Sequence, residues 1–164
     1  MNITILYDSF FGNTKMVAEH IGRTLEWIGK VEVLDVKQID LQRFLIPDLL
    51  IVGSPTRGFR PSPATIEFLN QLPDHALEGK FVAAFDTRMA LAHIKSRLFR
   101  FVVKTGGFAA KTIEKKLKNK GGMAIAPPEG FEVMDVEGPL LEGELKKVFS
   151  WAKNFQRKIV ALTH

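Results

Sequence analysis

Tyr7-Asp8-Ser9-Phe10-Phe11-Gly12-Asn13-Thr14 is the stretch on which the fold turns. Ahead of it, residues 3–7 form a β-rich run. Behind it, from about Asn13, Val17, Ile21, Leu25 and Ile28 recur at helical spacing before Gly29. A strand therefore enters a tight turn and leaves as a helix, with two hydroxyls, an amide and a glycine at the helix N-terminus. Exposed backbone N–H groups and the positive end of the helix dipole favour an anion there. Gly12 lets the backbone approach closely or take a positive φ. The Ser9 and Thr14 hydroxyls and the Asn13 amide can donate further hydrogen bonds. The competing reading is that Asn13 or Thr14 simply caps the helix, a common use of both residue types.

Strand and helix patterns alternate through the rest of the chain. Residues 31–36 read as a half-exposed strand, interrupted by Glu32 and Asp35, and residues 49–52 as a central strand covered on both faces. Pro63 opens a short helix through about Gln71. Residues 81–85 are a fourth strand, 107–120 a helix with a basic face, and 123–126 a fifth strand stopped by Pro127-Pro128. Pro139, after Gly138, suits the first position of a final helix that would bury Leu141, Leu145, Val148, Ala152 and Phe155. This alternation implies right-handed crossovers and a parallel sheet, hence an α/β domain of three layers over residues 1–164. Ligands of such sheets bind beyond the carboxyl ends of strands where the strand order reverses. Residues 8–14, 53–60 and 86–89 are the ones that lie there.

Composition narrows the chemistry. At 164 residues, 46% hydrophobic and 25% charged, the chain has the make-up of one globular domain. No apolar run approaches the roughly 20 residues of a membrane span, and the N-terminus enters a strand without a signal-peptide pattern, so a cytoplasmic protein without membrane insertion is expected. The absence of cysteine excludes disulfides, a thiolate nucleophile and a sulfur-ligated metal. No Asp/Glu/His cluster has metal-ligand spacing, and no Ser-His-Asp arrangement can be argued. Charge is unevenly spread. Residues 88–120 hold ten Lys/Arg against one acid, Glu114, while residues 129–144 hold six acids and no Lys or Arg. Such a split points to a charged docking face; a solvated basic helix is the plainer alternative.

Two common phosphate motifs are missing: no G-x-G-x-x-G follows a strand, and no Gly-Lys-Ser/Thr closes a nucleoside-triphosphate loop. A phosphoryl-accepting receiver domain would want an acid after strand three, where this chain has Gly53-Ser54. The loop instead resembles the Ser/Thr-x-Thr-Gly-x-Thr phosphate loop of the flavodoxin family, matched at Ser9, Gly12 and Thr14, with Phe11 in place of the middle threonine. Gly53-Ser54-Pro55-Thr56-Arg57-Gly58-Phe59 resembles that family's Gly-Ser-Pro-Thr loop against the flavin ring. Phe85-Asp86-Thr87-Arg88, with Gly106-Gly107-Phe108-Ala109-Ala110 later, resembles an atypical branch whose fourth loop carries Asp-Thr-Arg.

The resemblance spans nearly the whole chain. It implies a flavodoxin-like domain with a five-stranded parallel sheet of order 2-1-3-4-5, and FMN held by Ser9, Phe10, Phe11, Gly12, Asn13, Thr14, Ser54, Pro55, Thr56, Arg57, Gly58, Phe59, Asp86, Thr87 and Arg88. Phe59 is the best aromatic wall for the ring, with Met89 or Phe108 opposite. Phe10 and Phe11 fit packing beside the ribityl chain or in the core. Arg57 and Arg88 would place cations by the flavin, where the family commonly has acids; surface solvation of both is the alternative.

Between strand four and its helix, an inserted segment at about 89–105 repeats Leu91, Ile94, Leu98 and Phe101 at helical spacing. His93, Arg97, Arg100 and Lys104 fall on another face. The segment could be a lid, a docking face for an acidic partner or a membrane-surface contact. The function implied is an electron carrier between redox proteins with an acidic docking face, without nucleic acid. The alternatives are an FMN-dependent NAD(P)H reductase and a flavin-free basic interaction module.

Overall fold

The structure, a computed structural model, describes residues 1–93 and 95–163, apart from the side chains of residues 93, 102–106 and 163. In chain order the elements are β1 (Asn2–Tyr7), α1 (Asn13–Leu25), β2 (Lys30–Asp35), β3 (Leu49–Pro55), α2 (Pro63–Gln71), β4 (Phe81–Met89), α3 (Arg97–Gly106), α4 (Ala109–Asn119), β5 (Met123–Ala124), β6 (Glu129–Val133) and α5 (Glu144–Thr163). All strand pairs are parallel, in the order β2-β1-β3-β4-β5, and β6 joins the same edge of β4 further along. The expected order 2-1-3-4-5 is the observed one, with an extra strand.

Strand alternation sorts the core into two layers. Ile3, Ile5, Leu49, Ile51, Ala83 and Phe85 face α1 and α5, packing on Val17, Ile21, Leu25, Trp151 and Phe155. Leu6, Leu50, Val52, Val82 and Ala84 face α2 and α4, packing on Phe68, Leu69, Ile113 and Leu117. Because both faces are covered, the inner strands read as unbroken apolar runs.

Four features depart from the sequence reading. First, β3 and β4 run past Val52 and Phe85 to Pro55 and Met89, so Gly53-Ser54-Pro55 and Asp86-Thr87-Arg88 lie within strands rather than after them. Second, the fifth strand is split. Of the expected 123–126 run only Met123 and Ala124 pair with β4; Pro127 and Pro128 lack the N–H a ladder needs, and pairing resumes with Phe85 opposite Glu129.

Third, Pro139 does not open the final helix. It follows a cis peptide bond, and its carbonyl accepts the Met134 N–H at 2.8 Å in a chain return against β6. The helix starts at Glu144, leaving Leu141 outside it and Leu145 only half-buried; Val148, Trp151, Ala152, Phe155 and Ile159 form its buried stripe. Fourth, the inserted segment is a 3₁₀ turn at Leu91–His93 followed by α3, whose cap Ser96 accepts the Phe99 N–H. Its expected apolar face is not buried: Leu98 and Phe101 are exposed. Ile94 lies outside the described residues, as do the side chains of His93 and Lys104.

Candidate functional site

The loop after β1 is shaped by Gly12, which precedes α1 at φ 92° and makes no side-chain cap. Asn13 and Thr14, the two candidate caps, are used elsewhere. Asn13 Nδ2 donates to the Glu137 carbonyl at 3.1 Å, and the Thr14 hydroxyl lies 2.8 Å from that of Thr87, both buried. The Ser9 hydroxyl accepts the Gly12 N–H at 3.0 Å and so braces the turn. The first-turn N–H groups of α1 have no intrahelical acceptor, and no acidic residue sits in that turn. The capping reading therefore fails, and the helix end is left open to an anion. Asp8, in the same loop, is buried and paired with Lys37 Nζ at 3.0 Å, whose pKa is raised chiefly by that hydrogen bond.

This helix end forms one wall of a cavity of about 330 Å³ beyond the carboxyl ends of β1, β3 and β4, within the range of small-molecule sites. Ser9, Phe10, Phe11, Asn13 and Thr14 line it from the first loop; Pro55, Thr56, Arg57, Gly58 and Phe59 from the second; Thr87 and Arg88 from β4. Three expected site residues do not line it. Gly12 shapes the loop, and Ser54 is fully buried, its hydroxyl accepting the Ser62 N–H at 2.8 Å and donating to Pro55. The third, Asp86, is buried beneath Arg88.

The second loop is a two-residue hairpin. Arg57 and Arg60 exchange both backbone hydrogen bonds, and Gly58 and Phe59 take φ 54° and 67°. Two positive φ values match the strand twist in such turns, and a phenylalanine held there is strained. The turn leaves the Phe59 ring on the cavity wall. Phe10 and Phe11 are about half-exposed and lie beneath the Arg57 guanidinium, 4.8 and 5.8 Å from their ring centres.

Arg88 is not a free cation. Its Nε and Nη2 both donate to the Asp86 carboxylate at 2.7 Å, and its guanidinium sits 3.6 Å from the Phe108 ring centre. Gly130 of β6 lies on it closely enough that a Cβ there would come within 2.0 Å of Arg88 Cζ. Asp86 also accepts the Ala110 N–H at the start of α4 and the Thr56 hydroxyl. Burial pushes its pKa up; these partners pull against that. The pair ties β3, β4 and α4 together under the cavity. Arg57, by contrast, has no ion pair with any described residue.

Met89 and Phe108, expected opposite Phe59, do line the cavity, but Phe99, Val133 and Val136 were not expected. Nothing in local sequence marked them: the two valines depend on β6 continuing the sheet, and Phe99 on where α3 lies.

An open helix N-terminus beside an aromatic-walled cleft at the switch point of a doubly wound sheet defines a phosphate-bearing, flat-ring cofactor site. Comparison with known proteins agrees. A family model described as Flavodoxin matches residues 5–149. A flavodoxin from Clostridium saccharobutylicum is 31% identical over 94 residues, covering 56% of this chain and 59% of that relative. Less than two thirds of that relative's length is therefore matched. Oxidised flavodoxin 2 from Bacillus cereus superposes with a TM-score of 0.75 at 24% identity, covering 96% of this chain and 99% of that one. Rubredoxin oxygen:oxidoreductase from Desulfovibrio gigas gives 0.71 at 17% identity, with 98% of this chain matching 36% of that larger one. These structural likenesses show the fold.

The chain belongs to the flavodoxin family, whose members bind FMN. Among the described residues no helix is long and apolar enough to cross a membrane.

Proposed function

We propose that the cavity holds FMN and that the chain carries electrons between redox proteins, its partner docking over the cavity mouth. The uncapped N-terminus of α1 carries this reading, since it supplies N–H donors where a phosphate needs them and spends no side chain on them. Of the two hydroxyls Thr14 and Thr87, whichever accepts in their shared hydrogen bond keeps its own proton to donate. Phe59, Met89 and Phe108 line the cavity and offer apolar walls for the ring. FMN supplies the redox chemistry when bound; the chain orients it, excludes water and sets the surrounding charge.

The mouth is basic on its hairpin and α3 sides, through Arg57, Arg60, Lys95, Arg97 and Arg100, all exposed. This supports a partner with an acidic face. The test is stopped-flow electron transfer from the FMN-loaded protein to acidic and basic redox proteins across ionic strength. Acidic partners should react faster at low salt, and Arg97→Glu/Arg100→Glu should remove the advantage, because steering is screened within about 10 Å at 0.1 M salt. Rates indifferent to salt and to both reversals would refute the docking assignment.

A further inference from the structure

We infer that the cavity mouth also docks, weakly, onto the same face of a second copy of this chain. The mouth has two lips of opposite charge. On one, α3 leaves Leu98 74% exposed and Phe99 53% exposed beside Lys95, Arg97 and Arg100. On the other, the loop after β6 leaves Met134 50% and Val136 52% exposed beside Asp135 and Glu137. Phe99 and Val136 line the same cavity, so both lips border one opening.

The lips come from different parts of the chain. α3 leads from β4 into α4, while the loop after β6 leads towards α5 and is fastened to α1 by the Asn13–Glu137 hydrogen bond. Elsewhere exposed charges of this chain find partners, as Lys30 does with Glu32 and Arg43 with Asp40. Lys95, Arg97, Arg100, Asp135 and Glu137 form no ion pair with any described residue.

A face with a basic apolar lip and an acidic apolar lip is complementary to itself. Under a two-fold rotation in the plane of contact, each copy's α3 lies over the other copy's acidic loop, so the same attraction is made twice. An anionic lipid surface would suit α3 alone and be repelled by Asp135 and Glu137. A second copy satisfies both lips. Exposed ion pairs are individually weak, so the dimer is concentration-dependent and salt-sensitive, and competes with redox partners for the mouth. The inference needs no bound cofactor and stands apart from the proposed function.

The experiment is sedimentation of the full chain over a concentration series, at about 0.01 M and about 1 M salt, where the Debye length falls from ~30 to ~3 Å. Wild type should self-associate at low salt and dissociate at high salt. Arg97→Glu/Arg100→Glu and Asp135→Lys/Glu137→Lys should each weaken association by about tenfold or more, since each places like charges opposite one another. Mixed together, the two variants should form a heterodimer, because both lip contacts are then oppositely charged again. Circular dichroism checks that each variant is folded. A chain monomeric throughout, a dimer indifferent to both reversals, or a mixture without heterodimer would overturn the inference. Binding of a monomer to anionic vesicles would also overturn it, and assign α3 to a lipid surface.

Discussion

Replacing Gly130 by alanine tests the packing that fixes Arg88. The new Cβ would lie 2.0 Å from Arg88 Cζ and 2.1 Å from Nε, against the roughly 3.5–4.0 Å at which carbon atoms rest, so something must move by about 1.5 Å. Two responses are available. If β6 backs away, the cost is that of an overpacked core, about 1–3 kcal/mol. If Arg88 swings out, the fully buried Asp86 loses its cation and the two hydrogen bonds at 2.7 Å, and breaking such a pair costs about 3–5 kcal/mol. The cheaper response wins, so a loss of about 1–3 kcal/mol is expected. The assay is urea unfolding of Gly130→Ala in the wild-type background and in Asp86→Ala/Arg88→Ala, where no guanidinium is left to displace. There the added methyl should cost within about 0.5 kcal/mol, as at any site free of such a contact. An equal cost in both backgrounds, or none in wild type, would refute the clamp.

Two further predictions concern charge. Arg57 is an unmatched cation at the mouth whereas Arg88 is matched by Asp86, so Arg57→Gln should lower the potential of bound FMN and Asp86→Asn should raise it. A unit charge about 8 Å away at an effective dielectric near 20 contributes about 2 kcal/mol, less when exposed, which amounts to tens of millivolts; potentiometric titrations that overlay wild type would refute this. Asp48 takes the Asn2 N–H at 2.8 Å and Lys80 Nζ at 3.3 Å, the first being the larger cause of its lowered pKa. A depressed folded pKa contributes stability above the unfolded value of about 4 and loses it as pH falls through the folded one. Asp48→Asn should thus flatten the acid limb of stability against pH, measured as urea midpoints from neutral pH down to about pH 3.

Much of this molecule is legible one residue at a time. The turn into α1 declares itself because a helix pattern begins one residue after Gly12, and the inner strands because both their faces are buried. What escapes local reading depends on partners distant in the chain. Ser54, Asp86 and Thr87 look like loop residues because they are polar, yet they sit in strands: Ser62, Arg88 and Thr14 satisfy them. Gly130 resembles a turn glycine, and its actual neighbour is a guanidinium 42 positions earlier. Arg88, taken alone, looks like a cation beside the ring; only the structure shows that its charge is already answered. The helical spacing of Leu98 and Phe101 correctly marks a helix, but spacing cannot say whether anything covers it.

Parallel fluorescence titrations with FMN and riboflavin test the central claim, that the open end of α1 holds a phosphate. Hydrogen bonds to a charged group are worth about 1.5–3 kcal/mol each, so losing even two should weaken binding by about 10²–10⁴-fold. FMN should therefore bind more tightly than riboflavin by that margin, and Thr14→Ala should narrow the gap by about tenfold to a hundredfold. Equal affinities for FMN and riboflavin would contradict the assignment of this loop.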